Sequence, residues 1–507
     1  MRRQRAAATL AATAALALVA TAAPASAKPG TDNGNPNNPR KLAAAVTTDN
    51  VMDHLEAFQA IADANDGNRA AGTDGYEAAA AYIEEQLAAA GYETERQYFP
   101  FTFEQVFGTS LSYTVDNTTT PVEHNPMSYS PGTPEGGVSG TLVTPTNALG
   151  CTSADWGGVD ATGQIALVSR GACSFAAKSL AASAAGAEAV IIYNNAAGEL
   201  NGTLSALNPD YVPTTGVTQA TGTALLGLPD DAVVTFELDK IAEERETFNI
   251  LAETSTGRDD NVVMLGAHLD SVEDSPGIND NGSGSAALLE TAIQLARANK
   301  VNNTVRFAWW GAEELGLVGS WHYVEDLDAN DPEALSDIAV YLNFDMVASP
   351  NYIIGVYDAN ESTYPAPVEV PDGSVAAEKV FTDYFDGIGQ PWVDTEFSGR
   401  SDYQAFIAAG IPSTGLFTGA DGVKTAEQVE MFGGTEGVIY DPNYHTPADD
   451  LDNVDATALG IMTKAIAYAT GVFAYDTSMV NGEKSPGKSG KAKPVPPPHA
   501  ASEKKAA

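Results

Sequence analysis

Apolar positions along the chain change period several times, and the changes divide it. Val51, Leu55, Phe58 and Ile61-Ala62 recur at helical spacing, and residues 76–87 repeat the habit, so a helical pair is expected across 49–90. Residues 67–72 (GNRAAG) form the loop between them. From about 106 to 244 short β-type runs take over (138–143, 165–168, 190–193), broken by Gly, Asn, Pro and Thr. One alanine-rich helix, 175–185, interrupts them and ends at Gly186. After Thr247 strands and helices alternate. Residues 261–265, 305–310, 339–344 and 414–417 read as buried strands, with helices across 284–299 and from Ala312. That alternation predicts an α/β fold: a mostly parallel mixed sheet with helices on both faces, plus an inserted β-rich domain.

The ends of the 507-residue chain read differently. A basic start, an Ala/Leu-rich run over 6–23 and the small-residue site 25–27 (ASA) make 1–27 a secretory signal peptide. Residues 28–46, rich in Pro, Asn, Gly and Lys, are expected to be a flexible leader or propeptide. Residues 477–507, rich in Lys, Pro and Ala, are expected to be a disordered tail. The main domain then occupies 47–105 and 245–476, and 106–244 is the insertion, with its compact part at about 130–235. No later run approaches the roughly 20 apolar residues of a spanning helix. The mature chain is therefore expected to be secreted and extracellular, without a membrane anchor, and a monomer.

A formal charge of −41 argues against nucleic acid as a partner, because phosphate binding requires basic patches. Cys151 and Cys173 are the only cysteines, and in an exported chain they are expected to pair, a loop worth about 3 kcal/mol on the chain-entropy model.

The candidate chemistry sits where strands end. His268 follows a buried strand, with Asp270 two residues on, able to accept the second ring N–H of a metal-bound histidine. Asp280 lies in a glycine-rich turn and could bridge two cations, although taken by itself the segment reads more readily as a turn followed by a helix cap. Glu313 and Glu314 are adjacent acids that repel unless cations or a shared proton intervene. Asp345 ends an apolar strand where an unpaired charge is costly, and His445 closes the set. Two imidazoles and three carboxylates suit two Zn²⁺ per chain, and with one bridging hydroxide the charges sum to zero. The remaining acid, Glu313, suits a general base. His54, His124, His322 and His499 lie outside these motifs and read as structural.

At residues 266–271 (GAHLDS), 277–284 (GINDNGSG), 307–316 (FAWWGAEELG) and 341–346 (YLNFDM) the chain resembles the secreted double-zinc aminopeptidases of peptidase family M28, over about 48–98 and 248–475. Residues 163–168 (GQIALV), 170–175 (RGACSF) and 185–195 (AGAEAVIIYNN) resemble a protease-associated (PA) domain, a lid or access module. The resemblance implies a zinc-exopeptidase fold, with His268 and Asp345 on one zinc, Glu314 and His445 on the other and Asp280 bridging. It implies Glu313 as general base, Tyr444 as hydrogen-bond donor to the developing oxyanion, and a cis peptide after Asp280. Residues 398–402 (SGRSD) match a segment lining the substrate cleft, which points to Arg400 as a substrate-binding residue. Some relatives carry a disulfide flanking the histidine that corresponds to His445; here those positions lack cysteine.

The expected function is therefore removal of N-terminal residues from peptides or proteins by a hydroxide bridging two zinc ions. A structural calcium is left open. A carboxypeptidase or dipeptidase on the same scaffold would need a cationic clamp for the substrate carboxylate, for which Arg400 stands out. A catalytically silent binding protein is disfavoured by the complete ligand set and base.

Overall fold

The computed structural model describes residues 38–298 and 300–482. The expected signal peptide, the part of the expected leader before Asn38, the tail from Glu483 and His499 lie outside the described residues.

A ten-stranded mixed sheet forms the main body, and its centre is parallel. Strand Arg258–His268 lies between Asn303–Trp310 and Ile338–Phe344, parallel to both, and Ser413–Phe417 continues beyond Ile338–Phe344. Successive side chains point to opposite faces, so these apolar strands feed two cores. Val263, Leu265, Phe307, Trp309, Val340 and Leu342 meet the helices Thr48–Ala64, Asp74–Ala90, Gly284–Leu295 and Ala456–Phe473. Met264, Ala308, Trp310 and Tyr341 meet Val318–Asn330 and Tyr403–Ala408 on the other face. Helices Thr48–Ala64 and Asp74–Ala90 start as their sequences direct: the Thr47 and Thr73 side chains cap Asn50 N and Tyr76 N, worth about 1 kcal/mol each.

Helix Ala456–Phe473 is long and apolar enough to cross a bilayer by composition, contrary to the sequence expectation. Leu459, Met462, Ile466 and Phe473 are buried in the main core, which accounts for its apolarity.

The insertion hangs on a two-stranded antiparallel ribbon, Thr94–Val115 against Val233–Glu253. Phe99, Phe101 and Phe103 near its base pack on Ala71 and Ala312. Leu111, Val234, Phe236 and Leu238 at its far end pack beneath Ile165, Leu167 and Ile191 of a five-stranded sheet. The segment read as one run at 138–143 divides: Val138–Gly140 joins the ribbon, and Leu142–Val143 joins the smaller sheet. Cys151 and Cys173 form a disulfide.

Both terminal regions expected to be flexible include ordered residues. Pro39–Ala45 is a helix capped by Asn38, and its Leu42 and the following Val46 are buried in the main core. At the other end Ser478–Asn481 forms a helical turn, and Thr477 accepts a hydrogen bond from Asn261. Proline at the first turn of a helix is favourable, so a Pro/Asn/Lys composition there does not exclude order.

Candidate active site

Three parallel strands end at one edge of the sheet. In register, His268 lies beside Trp310 and Gly266 beside Asn343, so His268, the Glu313/Glu314 pair and Asp345 emerge together. Asp280 enters from the buried turn Ile278–Ser283, and His445 from the irregular segment before the Leu451–Asn453 turn. The Asp280–Asn281 peptide is cis.

The acids converge on the histidines in two halves that share Asp280. His268 Nε2 is 3.2 Å from Asp280 Oδ1 and 3.3 Å from Asp345 Oδ1. His445 Nε2 is 3.0 Å from Asp280 Oδ2 and 3.0 Å from Glu314 Oε2. Donors about 2.0–2.2 Å from a tetrahedral zinc lie about 3.3–3.6 Å from one another, so the spacing is close to that of a ligand shell. Asp345 Oδ1 and Glu314 Oε1 are buried without a hydrogen-bond partner, which a cation would remedy. His268 with Asp280 and Glu314, and His268 with Glu313 and Asp345, are each compact enough to hold a metal ion.

The electrostatics follow from burial of so much negative charge. Burial alone would discharge His268, but Glu313, Asp345, Asp270 and Asp280 hold its imidazole well above the ordinary range. His445 behaves alike: burial opposes its charge, and bonds to Asp280 and Glu314 outweigh it, raising the pKa to about 10. Burial pushes Glu314 up to about 8, with Asp280 beside it. Burial also lifts Glu313 well above the carboxylate range, helped by Asp345, Glu314 and Asp402. Arg69 is the fully buried cation of the neighbourhood, its pKa lowered by burial to about 10.

His268 Nδ1 is 3.0 Å from the backbone carbonyl of Asp270 and 3.7 Å from its carboxylate. The Asp270 carboxylate accepts the backbone N–H groups of Glu313 and Glu314 at 3.1 and 3.3 Å. This also explains why no helix begins at Ala312: the acids sit in a turn held by Asp270 with Ala312 at φ 57°, and the helix starts at Val318.

Beside the acids opens a cleft of about 300 Å³, walled by Met346, Ile353, Tyr357, Phe417, Tyr440 and Tyr444. Tyr444 stacks on His445 with ring centroids 3.8 Å apart, and burial raises its phenol above the ordinary value. Arg400 reaches Tyr444 Oη at 3.4 Å and is paired with Asp421 at 3.0 and 3.2 Å.

Sequence reasoning gave no role to three residues that hold the site. Arg69 donates to the carbonyls of Leu269, Pro276 and Gly277, bracing the loop between His268 and Asp280. Ser401 donates to Asp345 Oδ2 at 2.6 Å, and Asp449 receives the turn that carries Asp280. Arg69 lies in the 67–72 loop and Ser401 in the 398–402 motif, but residue type alone does not distinguish a brace from a solvated turn.

An open α/β sheet with imidazoles and carboxylates gathered at the carboxyl ends of its parallel strands defines a metal-dependent hydrolase. The chain belongs to peptidase family M28: the family model matches residues 249–470, and the PA-domain model matches 138–225. It is 45% identical over 448 residues to "Probable lipoprotein aminopeptidase LpqL" of Mycobacterium tuberculosis, covering 87% of this chain and 88% of the relative. An aminopeptidase of Pseudomonas aeruginosa is 42% identical over 460 residues, covering 88% and 84%. Among solved structures, the aminopeptidase from Aneurinibacillus sp. strain AM-1 superposes with a TM-score of 0.62 at 28% identity, covering 85% of this chain and 95% of that one. A zinc aminopeptidase from Bacillus subtilis gives 0.55 at 27% identity, covering 83% and 94%.

Proposed function

We propose that the chain is a secreted zinc aminopeptidase acting on the N-termini of peptides or proteins, as a monomer. The observation that carries this reading is the division of donors about Asp280, with one histidine beside each of its oxygens and one further acid beside each histidine. His268 and Asp345 would hold one zinc, Glu314 and His445 the other, and Asp280 both. Bound there, the two ions supply an acidified water and a Lewis acid for the scissile carbonyl. Relatives named as aminopeptidases support the exopeptidase reading.

The protein's own groups do the rest. Glu313, buried and 3.9 Å from His268 Nε2, takes the proton of the attacking water and delivers it to the leaving amine. Tyr444 keeps its phenolic proton and donates it as a hydrogen bond to the oxygen that becomes negative, with Arg400 steering the hydroxyl. Glu313 and Asp345 are the acids available to receive the substrate ammonium, and Met346, Ile353 and Phe417 offer apolar surface to its side chain. Arg400 is the one Lys or Arg among the described cleft-lining residues, and Asp421 already pairs with it, which weighs against a carboxypeptidase clamp.

Glu313→Gln is expected to keep its metal while turnover of an aminoacyl anilide drops at least about a hundredfold. An amine-blocked anilide should be inert to the unaltered protein. Turnover retained in the variant removes Glu313 from the base role, and turnover of the blocked substrate removes the aminopeptidase reading.

A further inference from the structure

His445 is the least buried of the five residues assigned to zinc, 36% exposed, and it sits on a segment with no helix or strand of its own. Its backbone is in the left-handed region, φ 57°. Such a residue needs its loop held from outside, and the hydrogen bonds on either flank show where. Asp449 Oδ1 accepts Asn279 N at 2.9 Å, its Oδ2 accepts Asp280 N at 3.0 Å, and its backbone carbonyl accepts Ile278 N at 3.0 Å. On the other side of His445, Asp441 Oδ2 accepts Asn279 Nδ2 at 2.7 Å. Asn453 ties the flanks together, donating to Asp449 Oδ1 at 2.9 Å and to Asp441 at 3.1 and 3.0 Å. Asp441 and Asp449 are both fully buried.

We propose that Asp449 is the positioning residue that fastens the His445 loop to the turn bearing Asp280, and so assembles the Glu314/His445 half of the dinuclear site. The proposal rests on the two-zinc reading above. The chemistry singles out a carboxylate. Two consecutive backbone N–H groups converge on one side chain, one on each oxygen, and a carboxyl group offers an acceptor to each where an amide offers one acceptor and one donor.

The effect is one-sided, because the two partners are not equally dependent on the clasp. The Asp280 turn has other holds. Asn281 donates to Phe344 O and accepts from Gly284 N and Met346 N, Asn279 Oδ1 accepts Ala348 N, and Arg69 braces Gly277 O. His268 and Asp345 leave rigid strand ends. The His445 loop keeps its hold on the Asp441 side, through Asn279 Nδ2 and Ala420 O, but on the following side Asp449 is what joins it to the Asp280 turn, so losing Asp449 loosens His445 while leaving the His268/Asp280/Asp345 half intact.

The test is zinc binding by the full chain carrying Asp449→Asn or Asp449→Ala, measured as metal content at buffered free zinc and as the absorption of the cobalt-substituted protein. The unaltered protein should hold two ions. Each variant should keep the first at unchanged affinity and bind the second about ten- to a hundredfold more weakly, with anilide turnover returning as free zinc is raised. If the alanine variant does not fold, the isosteric asparagine variant carries the test, with one oxygen replaced by a donor facing an N–H. Two zinc ions bound as before, or both weakened equally, would overturn the proposal. Fewer than two in the unaltered protein overturns the dinuclear reading itself, and the proposal with it.

Discussion

Asp270 is a buried acid whose two oxygens are spent on main-chain N–H groups, those of Glu313 and Glu314. It therefore fixes where both glutamates start from, one as zinc ligand and one as base in the proposed mechanism. Replacing it with alanine should lower turnover about ten- to a hundredfold, with the circular dichroism unchanged. Unchanged turnover would mean that the turn through Ala312–Gly316 holds itself. At this scale the sequence is readable where chemistry restricts residue type. Two histidines and three acids at strand ends and in the loops beside them have few other uses, and their motifs also carried the family resemblance. Asp449 and Asp441 were not readable, because an acid-rich stretch such as 441–452 looks like a solvated loop until its burial is known.

Elements were legible wherever the apolar period was strong. The helices at Thr48–Ala64 and Asp74–Ala90 and the parallel strands lie within a few residues of their expected positions. Periodicity failed where a tertiary partner overrides composition. Helix Pro39–Ala45 is seven residues long, and what stabilises it is Leu42, fully buried against the main core, rather than its own propensity. Leu42→Ala should therefore cost about 2–5 kcal/mol in urea unfolding of the whole domain. A cost near zero would return residues 39–45 to the status of a leader. The expected helix from Ala312 failed for the opposite reason: Asp270 satisfies the N–H groups that a first helical turn would otherwise leave free.

Across the whole molecule, the sequence boundaries at 105/106 and 244/245 fall inside continuous paired strands, not in linkers. The only irregularity nearby is the register shift between Val106 and Gly108. Strand pairing between segments so far apart leaves no trace in local composition, so a change of texture was the best available signal. Val106 pairs with Lys240, and the chain thus leaves and re-enters the peptidase side by side. Topologically the ribbon is a hairpin whose turn has been replaced by an entire domain. A turn can be exchanged: joining Val106 to Lys240 through Asn-Gly, the pair that favours a tight two-residue hairpin, should yield a shortened protein that unfolds cooperatively and still takes up two zinc ions. Failure to fold would mean that the inserted domain is a structural buttress. Success would make it a detachable cassette, able to be lost, gained or traded between proteins without redesign of the catalytic body.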